Sequence, residues 1–249
     1  MRNFYPLWGQ KIPIIAGIVA TWYLIILVTK IPPYILPTPL QVVKAFYSHY
    51  PLILWHAALT FSQIGFGLII ASILGILMAL LLDRYQEMQE WLRPVLLILQ
   101  AMPSFILMPL LLIWFGFGIG PKMIVVCLSA FFPVTICFLD GLKRTPVEWQ
   151  ELTTVMQGTP WQALKMIRIP AALPGLLSGL RLAAIHAPLT VLAADWNGAS
   201  HGLGYLIMLC HGRLQIDLMF ACLFCTVFLT FILTRLIQRL EAHLIFWPA

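Results

Sequence analysis

Charged residues are scarce in this 249-residue chain: only 10% are Asp, Glu, Lys or Arg, whereas 61% are hydrophobic. That balance exceeds what one water-soluble core can bury, so it excludes an ordinary soluble domain and favours lipid as the solvent. Charge-free stretches separate Lys11 from Lys30 and Asp217 from Arg235. Each of these is long enough to cross a bilayer.

The uncharged stretches predict six transmembrane helices in one all-α domain over residues 1–249. Their approximate bounds are Ile14–Thr29, Ile64–Leu82, Val95–Phe117, Met123–Leu139, Pro174–Ala194 and Leu218–Leu236. The interval from Lys44 to Asp83 has room for two spans, but polar residues in its first half favour an interfacial helix before a single span. These residues are His56, Thr60, Ser62 and Gln63.

Basic residues predict the side of the membrane on which each loop lies. With both termini in the cytoplasm, ten Lys and Arg residues lie inside and four outside, which is the asymmetry typical of cytoplasmic loops. The ten are Arg2, Lys11, Arg84, Arg93, Lys143, Arg144, Lys165, Arg168, Arg235 and Arg239; the four are Lys30, Lys44, Lys122 and Arg213. The net charge of +6 thus reflects topology, and no nucleic-acid partner is expected.

Several other signals are missing. No small-residue cleavage site follows the first predicted helix, so we expect a retained span and not a signal peptide. Cys222 and Cys225 lie within a predicted span, where we expect apolar packing and not a redox or metal pair. The chain has no Gly-x-x-x-x-Gly-Lys-Ser/Thr loop, so we expect no nucleotide, metal or other cofactor on it.

The polar segment between the fourth and fifth predicted spans covers residues 143–173. Thr145-Pro146 and Thr159-Pro160 each combine a capping threonine with a proline at the first helical position, which predicts two short helices. Gly158 is expected to take the left-handed conformation that ends the first of them. Two prolines should end the second helix and begin the next span: Pro170 and Pro174.

Both short helices carry apolar residues at helical spacing. They are Trp149, Leu152 and Met156 in the first helix, and Trp161, Leu164 and Ile167 in the second. Such faces either pack on the ends of the chain's own helices or dock on another protein. The residues alone leave both possibilities open.

The segment resembles the EAA loop of ATP-binding-cassette importer permeases, whose pattern is Glu-Ala-Ala, three residues, Gly, nine residues and Ile-x-Leu-Pro. Here Glu151-Leu152-Thr153 begins the motif and Ile167-Arg168-Ile169-Pro170 closes it at the same spacing. Gln157 stands where the pattern has glycine, and the glycine is displaced to Gly158. We therefore expect the first helix to run one residue further.

This resemblance implies that the segment is a coupling helix held in a groove of a separate ATPase subunit, which binds ATP and Mg. The residues assigned to it are Glu148, Glu151, Leu152, Gln157, Gly158, Trp161, Ile167 and Pro170. It also implies a methionine-permease-like fold, a permease homodimer, a bacterial inner-membrane location and a periplasmic solute-binding protein as a further partner.

Other motifs narrow the resemblance. Leu36-Pro37-Thr38-Pro39, Met102-Pro103-Ser104-Phe105 and Ala194-Asp195-Trp196-Asn197 are similar to permeases for nitrate, sulfonates, taurine and thiamine precursors. Arg213-Leu214-Gln215-Ile216-Asp217 looks most like those for hydroxymethylpyrimidine. The expected solute is therefore a thiamine precursor, with nitrate, taurine or aliphatic sulfonates as alternatives.

Helix-breaking and polar residues within the spans predict the translocation path. Prolines there remove hydrogen bonds that lipid cannot replace, which favours helices around a cavity. Arg181 either lines the inner mouth or extends to the surface, and Trp196 either stacks on a flat solute or anchors the interface. The candidates are Pro103, Pro109, Arg181, His186, Asp195, Trp196 and Asn197.

Two functions of other classes fit less well. Ser200-His201 puts a nucleophile beside a base, as an intramembrane hydrolase would need, but adjacent side chains point apart. A carrier that works without ATP would show repeated halves or several buried ionisable residues, and neither is evident.

Overall fold

The structure is a computed structural model that describes residues 8–245. Eleven α-helices make up most of that range, which contains no β-strand. They are α1 (Trp8–Thr29), α2 (Pro39–Ser48), α3 (Tyr50–Arg84), α4 (Gln86–Ala101), α5 (Met108–Phe115), α6 (Ile119–Lys143), α7 (Val147–Val155), α8 (Pro160–Ala163), α9 (Ile169–Asp195), α10 (Leu203–Gly212) and α11 (Ile216–Leu244).

Within the described residues, four helices are long and apolar enough to cross a membrane. They are α3, α6, the continuous helix Pro160–Asp195 that contains α8 and α9, and α11. These contain the predicted second, fourth, fifth and sixth spans, while α1 and the pair α4 and α5 occupy the first and third. The prediction of an all-α polytopic membrane fold is confirmed.

The third predicted span, Val95–Phe117, is not one helix. α4 ends at Ala101, Met102 is extended, and a single 3-10 turn at Ser104–Leu107 precedes α5. The helix breaks here because Pro103 has no N–H to continue the ladder, and Pro109 falls in the first turn of α5, where a proline is tolerated.

The prediction of an interfacial helix before the second span is also wrong. α3 runs unbroken for 35 residues, about 52 Å, and therefore extends well past a hydrocarbon core of about 30 Å. His56 and Thr60 are only 4% and 0% exposed. Four residues apart on a helix, they share one face, and that face packs on protein rather than on the membrane surface.

The centre of the fold is a unit of three helices, α3, α6 and α9. A Cβ atom at Gly175 or Gly179 of α9 would lie 2.6 or 2.7 Å from a backbone oxygen of α6, so the two backbones touch there. At Gly67 of α3 it would lie 2.5 Å from a methyl group of Val126. Larger residues at these glycines would force the helices apart.

Contrary to the prediction, Pro170 and Pro174 do not separate the second short helix from the following span. The helix continues from Pro160 to Asp195 through one wider π-type turn at Leu164–Arg168. The Ile169 N–H donates to the Leu164 carbonyl, and this wider turn accommodates the ring of Pro170 without a break. The polar segment is therefore built directly onto α9.

Candidate functional site

A cavity of about 960 Å³ lies between the break after α4, the middle of α6 and the second half of α9. We call it the main cavity. Five of the predicted path residues line it: Pro103, Pro109, His186, Trp196 and Asn197. The backbone break at Pro103 thus faces a cavity, where irregular structure inside a membrane is tolerated.

The other two path candidates, Arg181 and Asp195, do not line the main cavity, and both are engaged in ion pairs. The Arg181 guanidinium pairs with Glu241 of α11. The Asp195 carboxylate is held by Lys122 of α6. Neither charge is therefore presented to a solute in the main cavity.

Among the described residues that line the main cavity, none is Asp, Glu, Lys or Arg. Its polar groups are amides, hydroxyls, an imidazole and an indole, from Gln100, Ser129, His186, Thr190, Trp196 and Asn197. Some are already engaged: the Ser129 and Thr190 hydroxyls and the Asn197 amide each donate to a backbone carbonyl at 2.8, 3.1 and 3.2 Å. The lining can hydrogen-bond a neutral solute, but it offers no countercharge to an ion.

The ion pair between Lys122 and Asp195 joins the start of α6 to the end of α9. Lys122 Nζ lies 2.7 Å from Asp195 Oδ1, and the two side chains are 8% and 0% exposed. The Gly204 N–H donates to Asp195 Oδ2 at 3.2 Å, and Lys122 also reaches the His201 carbonyl at 3.5 Å. Sequence reasoning missed this pair, although each partner stands beside an apolar span.

The loop between α9 and α10 is fixed by α3. The Gly202 N–H donates to His56 Nδ1 at 3.1 Å, and the Leu203 N–H donates to Thr60 Oγ1 at 2.9 Å. These bonds satisfy amides that are free at the start of α10. Gly202 has φ +115°, and a Cβ there would lie 2.2 Å from Asp195 Oδ2, so only glycine fits.

At the opposite end of α9, α7 and α8 form the segment that resembles the coupling helix. α7 ends at Val155, Gln157 has φ +54°, and the Gly158 N–H donates to the Thr153 carbonyl at 2.8 Å. This is a Schellman closure with Gln157 at the left-handed position.

The predictions that Gly158 is the left-handed residue and that α7 runs one residue further are therefore wrong. The turn keeps the family's spacing, with glutamine in the strained position. Gly158 is required for another reason: a Cβ there would lie 2.6 Å from Thr153 Cγ2. The second cap is as predicted, since Thr159 and Gln162 form a reciprocal capping box at the start of α8.

Two tryptophans and two methionines of this segment are not covered by any other part of residues 8–245. Trp149, Met156, Trp161 and Met166 are 51%, 75%, 67% and 73% exposed. Glu148 and Glu151 are exposed beside them. Leu164 instead packs against the core under α4, α6 and α9, Ile167 and Pro170 are half-buried, and the side chain of Leu152 lies outside the described residues.

Ion pairs attach the segment to the ends of the long helices. The Arg168 guanidinium donates to both oxygens of Asp83, at 2.8 and 2.7 Å, and to the Leu142 carbonyl at 3.4 Å. A separate, single contact of 2.7 Å between Arg93 and Asp140 Oδ1 joins α4 to α6. The fork made by Arg168 fixes orientation as well as distance, so the segment and the ends of α3 and α6 form one rigid piece.

The helical membrane bundle has a cavity in one half and a rigid, exposed segment at the other end. This is the architecture of a permease whose helices are moved by a partner protein. Residues 71–245 match the family described as the binding-protein-dependent transport system inner membrane component, and the chain belongs to that family.

Several curated permeases are similar in sequence to this chain over most of their length. A probable ABC transporter permease protein of Haemophilus influenzae is 38% identical over 84% of this chain and 86% of its own. The formylaminopyrimidine transport permease protein ThiX of Halalkalibacterium halodurans is 33% identical over 86% of both chains. The putative aliphatic sulfonates transport permease protein SsuC of Bacillus subtilis is 28% identical over 96% and 88%.

The fold is also that of a solved importer. The MetNI methionine ABC transporter in an inward-facing conformation superposes with a TM-score of 0.60 at 20% identity, over 84% of this chain and 99% of that one. The predicted family and fold are thus confirmed. The chain is a membrane-embedded permease subunit of an ABC importer, not an enzyme, and ATP hydrolysis belongs to a separate subunit of the system.

Proposed function

We propose that this permease carries a small, uncharged heteroaromatic solute, a thiamine precursor such as hydroxymethylpyrimidine. The observation that carries the proposal is the absence of any charged side chain among the described residues of the main cavity. A neutral ring with hydrogen-bonding groups matches this lining, because a buried ion without a countercharge would lose several kcal/mol of hydration, as an order of magnitude.

The polar groups of the main cavity suit such a ring. The Trp196 indole offers an aromatic face, and the His186 imidazole and Asn197 amide line the same cavity within α9 and its C-terminal turn. Flat solutes are commonly held by stacking together with a few hydrogen bonds. The ThiX relative, named for formylaminopyrimidine, supports this choice.

The alternative solutes, nitrate, taurine and aliphatic sulfonates, are anions or zwitterions. The SsuC relative keeps them in consideration. An anion would need a cation in the main cavity, yet no Lys or Arg among its described residues lines it, and the charges of Arg181 and Lys122 are paired with Glu241 and Asp195. The pairs would have to break before either cation could serve, which favours the neutral solute.

Uptake into proteoliposomes tests the identity of the transported solute. The permease is reconstituted with its cognate ATPase and binding protein, and labelled hydroxymethylpyrimidine is added with ATP. We expect His186→Leu to lower uptake about tenfold, the effect of one lost hydrogen bond with its partner left unpaired. His243→Leu, on an exposed histidine at the end of α11, is the matched control and should transport normally. Equal uptake of taurine, or full activity of His186→Leu, would contradict the proposal.

In the proposed assembly, two copies of the chain form a homodimer. Both termini lie in the cytoplasm together with residues 143–173, which we call the coupling segment. Leu189 and Ile106 line the main cavity yet are 69% and 58% exposed, and a second copy would cover them. ATP and Mg bind the partner ATPase, and a periplasmic binding protein delivers the solute to the opposite face.

The ATPase contact is made by the uncovered side chains of α7 and α8. Trp149 and Trp161 are anchors of the type that dominates protein interfaces. Trp161→Ala should weaken ATPase binding by about 2 kcal/mol, roughly 30-fold in Kd. Trp114→Ala, on a tryptophan that is 65% exposed at the far end of α5, should leave the Kd unchanged. Titration of the ATPase against permease in nanodiscs measures both; equal affinities would exclude the anchor role.

A further inference from the structure

Trp196 is shared by two cavities. It lines the main cavity, and it also lines a second cavity of about 490 Å³, which we call the end cavity. The end cavity lies beside α10, and Tyr205, Met208 and Arg213 contribute to its wall. It is at the end of α9 opposite the coupling segment, about 40 Å away at helical rise. The indole therefore stands between the main cavity and the far face of the bundle.

The backbone that carries this indole is held on both sides. Before it, the Asp195 carboxylate is bound by Lys122 and by the Gly204 N–H. After it, Gly198 has φ +86° and is covered by Phe117, to which a Cβ at this position would approach within 2.7 Å. The main chain around Trp196 cannot move freely without breaking these contacts.

The side chain itself is far less restricted. Trp196 is 56% exposed, although its neighbour Asp195 is only 2% exposed. A large side chain on a fixed backbone can change rotamer between two cavities while the fold stays unchanged. A gating side chain needs a fixed attachment and open space on both sides of the ring, and Trp196 has both.

We infer that Trp196 is the outer gate of the translocation path, and that its indole closes the main cavity against the end cavity until the solute passes. This inference rests on the proposed transport function. The end cavity receives the solute from the far face, beside Tyr205 and Arg213. Rotation of the indole then connects the two cavities, while the ion pair of Lys122 with Asp195 keeps the backbone of Trp196 in place.

A labelling experiment tests the gate. In a chain whose five native cysteines are replaced, Ser129→Cys places a thiol in the wall of the main cavity. The assembled transporter is kept free of nucleotide, and a membrane-impermeant methanethiosulfonate reagent is added on the face opposite the ATPase. We expect Trp196→Ala to label roughly tenfold faster than the parent, which corresponds to about 1.4 kcal/mol in the opening barrier. Trp196→Phe, which keeps an aromatic ring, should label close to the parent rate.

The controls separate a gate from a tryptophan that only anchors the interface. Trp114→Ala removes another exposed tryptophan from the same end and should not accelerate labelling. If Trp196→Ala does not assemble, Trp196→Leu takes its place, with a smaller acceleration expected. Labelling at the parent rate in the Ala or Leu variant, or equal acceleration in Trp114→Ala, would overturn the gate. ATP-dependent uptake by the parent is measured in the same vesicles, and its absence would instead contradict the proposed function.

Discussion

Removing Lys122 should destabilise the protein more than removing Lys122 and the charge of Asp195 together. In Lys122→Met, the Asp195 carboxylate stays buried and keeps only backbone partners, the Gly204 and Tyr205 N–H groups, with no countercharge. An uncompensated buried charge of this kind costs about 3–5 kcal/mol. In Lys122→Met with Asp195→Asn, no charge remains and the amide oxygen still accepts from Gly204, so the cost should fall to about 1–2 kcal/mol.

Thermal unfolding in detergent can be followed with a thiol-reactive dye, because the five free cysteines are all buried or half-buried. For a chain of this size, 3–5 kcal/mol corresponds to a fall in Tm of roughly 6–20 °C, and the double variant should recover about one third to four fifths of it. Lys44→Met, on an exposed lysine of α2, is the matched control and should shift Tm by about 2 °C or less. A single variant with the Tm of the wild type, or a double variant with a Tm below that of the single variant, would refute the role assigned to this ion pair.

Three further outcomes concern the coupling segment. Gln157→Gly should raise Tm by about 2–4 °C, because glycine takes the left-handed turn without the roughly 1 kcal/mol strain of a side chain, whereas Gln157→Ala should give no gain. Gly158→Val should place a Cβ against Thr153 and reduce ATP-driven uptake about tenfold or more, with normal membrane insertion by fractionation; unchanged uptake would show that this turn is not part of coupling. Arg168→Lys keeps the charge but loses the two-pronged bond to Asp83, so more ATP should be hydrolysed per solute moved, and an unchanged ratio would remove that pair from the coupling route.

The helices were predictable because their signal is long and redundant. Charge-free stretches define where lipid contacts the chain, and the structure places a long helix over four of the six predicted ones. The third span was wrong because Pro103 and Pro109, each three residues from its middle, were placed inside one helix, whereas the helix ends before Pro103. Hydropathy does not distinguish a bent helix from a broken one, since both are equally apolar.

Residues that act through distant partners were the hardest to assign. His56 and Thr60 were read as an interfacial polar run, because nothing in the local sequence shows that they bond amides almost 150 positions later. The pairs of Lys122 with Asp195 and of Asp83 with Arg168 are hidden for the same reason. By contrast, the capping box of Thr159 and Gln162 is local and was visible in the sequence.

The glycine contacts between α6 and α9 determine how displacement travels through the protein. Where Gly175 and Gly179 lie directly on the backbone of α6, no flexible side chains separate the two helices to absorb a push. A tilt of about 5° imposed at the coupling end would carry the other end of α9, about 40 Å away, sideways by about 3–4 Å. That distance matches the thickness of an aromatic ring, so a small rotation at one end of α9 suffices to change what fits between the helices at its other end.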